Sequence, residues 1–177
     1  DDSASRGLGD VYKRQTKPRT DGDKNYDTAT FYSISNCQDG LSRVTLGNFL
    51  IKRVVFEIQE ELPNIKNFGT LSPIPGFRDW FVNLDEKLVK NILGNIPLEN
   101  ISFLKSSSLK IGDTRIISNK NAIYKLVAHY LMNEKNSKQL PINDVCRFHL
   151  GNGAIIDDIV INANISEVGF KRSFGVM

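Results

Sequence analysis

Apolar positions recur along this chain at two periods, and the change from one to the other marks out its elements. Thr28 to Ser35 reads Thr-Ala-Thr-Phe-Tyr-Ser-Ile-Ser, a β-branched and aromatic run that predicts a buried strand. From Phe49 to Leu62 the period becomes helical. Leu50, Val54, Ile58 and Leu62 fall four apart, with Ile51 and Val55 beside them, and Pro63 ends the run. Ile65 to Leu71 is short and apolar again, a second buried strand. Strand, glycine-containing loop, helix and strand compose a βαβ unit, with the loop leading into the helix N-terminus.

The remainder is mostly helical in pattern. Asp79 to Gly94 predicts one helix with Trp80, Phe81, Leu84, Leu88 and Ile92 on its apolar face and Gly94 as its C-cap. Pro97 to Asn119 has no sustained period and predicts irregular structure plus a short strand. Lys120 to Asn133 is an amphipathic helix with Ile123, Leu126, Val127, Tyr130 and Leu131 inward, and it places His129 among surface-type neighbours. Glu134 to Gln139 is a polar loop. Pro141 to Leu150 opens a second local unit, a short helix capped by Asn143 or Asp144, with Val145, Cys146 and Phe148 facing the core and His149 at its end. Ile155 to Ala163 reads as a strand interrupted by Asp157 and Asp158, and Ser166 caps a last helix from Glu167. Residues 1 to 27 are polar, lack apolar periodicity and read as a disordered or non-native segment outside the domain of residues 28 to 177. Within them Arg6 to Gln15 resembles translated adapter sequence. The competing reading, a transit peptide, is opposed by three aspartates before position 11 and by the lack of a basic amphipathic helix. The apolar end Phe174-Gly175-Val176-Met177 stops in mid-pattern, as a truncated domain would.

Composition narrows the function classes. A chain of 177 residues suits one domain, large enough to bury about 70% of its unfolded surface. Its net charge of +3 is small and its basic residues are scattered, so there is no clustered basic face to grip nucleic acid. No apolar run approaches the ~20 residues that span a bilayer. A mild positive bias suits an anionic ligand. The two cysteines, Cys37 and Cys146, lie far apart and form no CxxC pair, and with two histidines they make no metal-site pattern. Free thiols are the default; Cys37, at a strand end, could alternatively be reactive.

Candidate chemistry centres on Thr70-Leu71-Ser72-Pro73-Ile74-Pro75-Gly76-Phe77. Each proline fixes its own φ, removes a donor and restricts the residue before it, so Ser72 and Ile74 are pushed towards extended geometry. Ser72 therefore stands at a strand end on a stiff loop, where a side chain can be held against a ligand, although Ser-Pro and Pro-Gly are also ordinary turn chemistry. A second stretch, Arg147-Phe148-His149-Leu150-Gly151-Asn152-Gly153-Ala154, sets a histidine before a glycine-rich turn. On its own that histidine reads as a satisfied helix-end residue rather than a catalyst.

With Phe31-Tyr32-Ser33-Ile34-Ser35-Asn36-Cys37-Gln38 and Leu46-Gly47-Asn48-Phe49-Leu50-Ile51-Lys52, these blocks resemble the malonyl-CoA decarboxylase family, in its order and with its spacing, from about Thr28 to the last residue. The resemblance implies an α/β fold, mixed α+β in character: a GNAT-like acyl-CoA-binding domain with a central mixed β-sheet flanked by helices. It implies that Ser72 and His149 are the catalytic pair, the serine as proton acceptor and the histidine as proton donor. It implies a CoA-phosphate loop of Ser42, Arg43, Val44, Thr45, Leu46, Gly47 and Asn48, where a helix N-terminus would meet the pyrophosphate. Without the resemblance, Gly40 and Gly47 read as turn residues. Asn152 is a candidate amide donor to the thioester oxygen. Malonyl-CoA is the implied substrate, with neither metal nor organic cofactor, because the thioester is itself the electron sink. Neither nucleic acid nor membrane is an expected partner. The full-length family protein is expected to be a homo-oligomer, in mitochondria, peroxisomes or cytoplasm.

The chain departs from the family pattern in two places. Thr45 stands where many members are acidic. Val160, Ile161, Asn162, Ala163 and Asn164 stand where they usually read Asn-Trp-x-Ala-Asp. Two other functions fit parts of the sequence. A Ser-His thioesterase would need a GxSxG-like elbow or a third orienting acid, and Ser72 lies between Leu71 and Pro73 without that elbow. A non-catalytic acyl-CoA-binding domain would accommodate the departures at 160 to 164.

Overall fold

The computed structural model describes residues 26–32 and 46–177, with side chains from position 49 onwards in the second segment. The expectations for residues 1–25, for Cys37 and for Ser42 to Thr45 lie outside the described residues. The chain divides into two compact units, Asp1–Leu71 and Ser72–Met177.

In the first unit, strand β1 (Thr28–Tyr32) pairs in parallel with β2 (Asn67–Leu71), in a register that sets Thr28 against Asn67 and Tyr32 against Leu71. Helix α1 (Leu46–Glu61) lies between them in sequence, as the βαβ reading requires. The Asp27 carbonyl ties the start of the unit, accepting from the Lys66 N–H at 2.8 Å and the Asn67 N–H at 2.9 Å. Phe31 stacks on Phe68 across the strands, ring centroids 6.4 Å apart. Both strands were expected to be buried, yet they are largely exposed. Among the described residues the sheet has two strands, so most of its surface is uncovered. On α1, Ile51, Val55 and Ile58 are half-buried, whereas Leu50 and Val54 of the predicted stripe stay exposed, as does Leu62 just past the helix end.

The second unit is helical and holds the core. Helix α2 (Phe77–Val82) and helix α3 (Glu86–Leu93) replace the single helix predicted over 79–94. The break is chemical. Asp85 adopts extended geometry as an N-cap, and its carboxylate accepts from the N–H groups of Lys87 and Leu88. Restarting the helix re-phases it, so Val89 and Leu93 become the fully buried positions, while Leu84, Leu88 and Ile92 are half-buried. Gly94 ends α3 at φ 64°, the C-cap expected of it.

Residues 97–119 contain no strand. They form α4 (Glu99–Ser102), a 3-10 turn (Phe103–Lys105) and α5 (Thr114–Ser118), capped by Asp113. Each piece is too short to display a period, which is why the stretch looks patternless; Ile101, Leu104 and Ile116 nonetheless bury completely. Helix α6 (Lys120–Met132) buries the five apolar residues expected of it. Helix α7 (Asp144–Gly151) is capped by Asn143, and α8 (Glu167–Ser173) by Ser166. Phe148, expected in the core, is 39% exposed on α7.

The strand expected over 155–163 does not form. Residues 154–160 have no regular structure, and Asp157 and Asp158 are both exposed. The segment still makes strand-like bonds with the chain end. Val160 and Met177 exchange both backbone bonds, at 2.7 and 3.0 Å, and the Asn164 N–H donates to the Gly175 carbonyl at 3.1 Å. Those bonds bring Phe174 and Val176 into the core, where each is fully buried. Phe174 meets Phe77, Phe81 and Phe170 edge-on, with centroids 6.1 to 6.2 Å apart. Among the described residues no helix is long and apolar enough to cross a membrane, and no group of three His, Cys, Asp or Glu side chains converges as a metal site.

Candidate active site

Ser72 is the first residue after β2, on the proline loop, and His149 sits in the last turn of α7. They are 77 positions apart in sequence, yet Ser72 Oγ lies 2.9 Å from His149 Nε2. Both side chains are half-buried, so the pair can be reached from solvent while remaining partly shielded from it. Burial holds the imidazole below its ordinary value, because the charged form loses hydration. The Phe148 ring stands edge-on to the imidazole at 5.2 Å. Among the described residues no carboxylate hydrogen-bonds the second imidazole nitrogen, so the third member of a Ser-His-acid triad is not supplied there.

The proline loop is anchored at one atom. The Pro75 carbonyl accepts from Tyr130 Oη at 3.0 Å and from Asn143 Nδ2 at 2.8 Å. Asn143 is 3% exposed, and its other amide atom, Oδ1, accepts the Cys146 N–H at 2.8 Å, capping the helix that carries His149. Gly76 follows at φ 81°, beneath the Tyr130 hydroxyl; a Cβ there would come within 2.8 Å of Oη. That close approach, together with the positive φ, is what requires glycine. Tyr130 is walled in by Phe77 and Trp80, at 5.7 and 5.2 Å between centroids. Burial raises its phenol pKa. Cys146 is buried behind α7 with its thiol pKa pushed up by desolvation, as an inert structural thiol would have.

Asn152 closes α7. Its Nδ2 donates to the Phe148 carbonyl at 2.8 Å, and its backbone N–H reaches the His149 carbonyl at 3.1 Å. One amide hydrogen is therefore committed to the helix end, which leaves the second for other partners. Gly153 at φ 87° lets the chain turn so that the Ala154 N–H also reaches the His149 carbonyl, at 3.1 Å. The glycine-rich turn thus fixes the backbone of the histidine. His129, by contrast, stacks on Trp80 at 6.1 Å and lies 3.5 Å from Glu134, a partly exposed helix histidine as the helix reading placed it. Of the expected CoA loop, Leu46, Gly47 and Asn48 form the first turn of α1.

Sequence reasoning singled out Ser72, His149 and Asn152 but not the meeting of Tyr130 and Asn143 at Pro75. Tyr130 read as core and Asn143 as a cap, and both readings hold. What no local pattern carried is that the two side chains converge on one carbonyl of the serine loop.

Comparisons with known proteins place the chain by sequence and fold. Mitochondrial malonyl-CoA decarboxylases from Anser anser anser and Rattus norvegicus are each 33% identical over 191 aligned residues, which take in 98% of this chain. The chain spans only 38 and 39% of their respective lengths. The crystal structure of malonyl-CoA decarboxylase from Agrobacterium vitis superimposes with a TM-score of 0.72 at 32% identity, covering 96% of this chain and 41% of that one. The enzyme from Cupriavidus metallidurans gives 0.68 at 37% identity, covering 85% and 40%. The family profile of the malonyl-CoA decarboxylase C-terminal domain matches residues 4–177. With the family profile, the curated relatives and the fold in agreement over nearly the whole length, the chain belongs to the malonyl-CoA decarboxylase family.

Proposed function

We propose that this chain carries the decarboxylation of malonyl-CoA to acetyl-CoA and carbon dioxide, with Ser72 and His149 as its catalytic pair. The observation that supports the reading is the 2.9 Å contact between Ser72 Oγ and His149 Nε2 across 77 residues, on a loop stiffened by prolines. In the reaction the bond between C2 and the carboxyl carbon breaks. Its electron pair moves into an enolate on the thioester, and carbon dioxide leaves. His149 then gives a proton to C2 and is reprotonated from water. A bare serine hydroxyl is a poor base, so Ser72 orients the malonyl carboxylate or relays the proton, and the imidazole is the proton carrier near neutral pH. Asn152 contributes its second amide hydrogen to the thioester oxygen, as an oxyanion donor would. The CoA phosphates are assigned to Ser42, Arg43, Val44 and Thr45 with Leu46, Gly47 and Asn48. α1 begins at Leu46, and a helix start offers unpaired N–H groups and the positive end of its dipole.

The test is malonyl-CoA turnover, followed as acetyl-CoA by mass, for this chain and for His149→Ala. A positioned proton donor contributes about 10²–10⁴-fold, and the variant should lose that much. Equal rates in the two proteins would overturn the assignment of His149. Release of free CoA instead of acetyl-CoA would favour the thioesterase. Binding of CoA without turnover would make the chain an acyl-CoA-binding domain.

A further inference from the structure

The Ser72–His149 contact joins two elements that approach from separate parts of the chain, and the contact itself is one hydrogen bond between half-buried side chains. Something stiffer has to hold the loop and the helix in register, because a displacement of 1 Å between reacting groups costs roughly 10²-fold in rate. The Pro75 carbonyl supplies it. Both of its lone pairs are used, one by Tyr130 Oη from α6 and one by Asn143 Nδ2 from the start of α7. Asn143 is buried and bidentate, and its Oδ1 holds the Cys146 N–H in the first turn of the same helix that presents His149. One side chain therefore grips the serine loop with one end and the histidine helix with the other. Tyr130 is locked by its ring contacts, and it closes over Gly76, which has no side chain to intervene.

We infer that Tyr130 and Asn143 are positioning residues for the proposed decarboxylation, setting the Ser72–His149 geometry through the Pro75 carbonyl. The inference rests on the catalytic reading above, since it concerns the same pair. Neither side chain donates its proton to substrate; both act through the loop backbone.

Tyr130→Phe removes one donor and keeps the ring. Asn143→Asp keeps an N-cap acceptor but removes the other donor, because an ionised carboxylate cannot donate to Pro75. The full chain would be prepared as parent, Tyr130→Phe, the double variant and Ser72→Ala, with folding checked by thermal unfolding. Two readouts follow: kcat and KM for malonyl-CoA, and the titration of His149 observed through its imidazole ¹⁵N and ¹H resonances. The expected result for the double variant is a kcat lowered roughly 10–100-fold with KM nearly unchanged, and a His149 titration moved from the parent's towards that of Ser72→Ala. A folded double variant that keeps the parent's kcat and His149 titration would overturn the inference. So would one whose His149 titration is the parent's while only its melting temperature falls, since that is a purely structural role. Should the double variant not fold, Tyr130→Phe, whose packing is intact, carries the same two readouts. If the parent itself does not turn over malonyl-CoA, the catalytic reading fails, and the resonance titration still decides whether the two donors set the serine–histidine contact.

Discussion

Removing His149 from water has consequences that can be followed with pH. Burial holds its imidazole below the ordinary value of 6.5, so the folded chain resists a proton that the unfolded chain accepts. The contribution to stability is complete above 6.5 and is lost as the pH falls from there towards the folded value. Denaturant midpoints measured between about pH 5 and 7 should therefore decline on the acid side in the parent, and decline less in His149→Asn. The same shift bears on activity. If protonated His149 delivers the proton to C2, kcat/KM, which reports the free enzyme, should fall as pH rises through a midpoint below 6.5. On the proposed reading, bound malonyl-CoA would bring a carboxylate beside the imidazole and favour its charged form, so the midpoint in kcat should lie higher. A kcat/KM profile that instead rises through that midpoint would assign His149 the role of base.

Among the elements, caps explain more of the folding than propensity does. Asp85, Asp113, Asn143 and Ser166 each accept from a backbone N–H in the first turn that follows, and each was available in the sequence as a start signal. Ser166 is the cap the sequence names, and Asn143 is one of the two it offers, with Asp144. Asp85 was hidden inside an apolar pattern that continued past it, so α2 and α3 looked like one helix. Asn164, one of the departures from the family pattern, serves the last helix. Its Oδ1 accepts from the Ser166 N–H at 3.2 Å and from the Ser166 hydroxyl at 2.6 Å, and α8 packs so tightly on it that a Cβ on Gly169 would come within 2.3 Å of Asn164 Cγ. Both partners are donors to one oxygen, which an aspartate supplies equally well. Asn164→Asp should therefore leave the thermal midpoint close to the parent's, whereas Asn164→Ala should lower stability by about 1–3 kcal/mol through the unmet Ser166 donors and the space left against Gly169. Equal stabilities for alanine and asparagine would remove Asn164 from this role.

At the scale of the molecule, the second unit is closed by its last residues. Phe174 touches aromatic rings from positions 77, 81 and 170, and the guanidinium of Arg78 lies over its ring at 5.1 Å. Phe174→Ala should destabilise the chain by about 3–5 kcal/mol in urea unfolding, as large-to-small changes at fully buried aromatic sites do; a loss below about 1 kcal/mol would show that the end of the chain is not part of the cooperative core. Nothing in the local pattern of Phe174-Gly175-Val176-Met177 distinguishes a core plug from a frayed end. The helical period of α6, the caps of α7 and α8, the parallel βαβ order and the serine and histidine blocks were all legible, because each is written within a few neighbouring residues: a spacing of apolar side chains, an acceptor before a first turn, a proline that stiffens a loop. The exposure of the strands, the break before α3, the pairing of Val160 with Met177 and the convergence of Tyr130 and Asn143 on Pro75 were decided by the path of the whole chain. Burial and hydrogen-bond partners belong to groups that are far apart in sequence, and only folding determines which distant groups share one space.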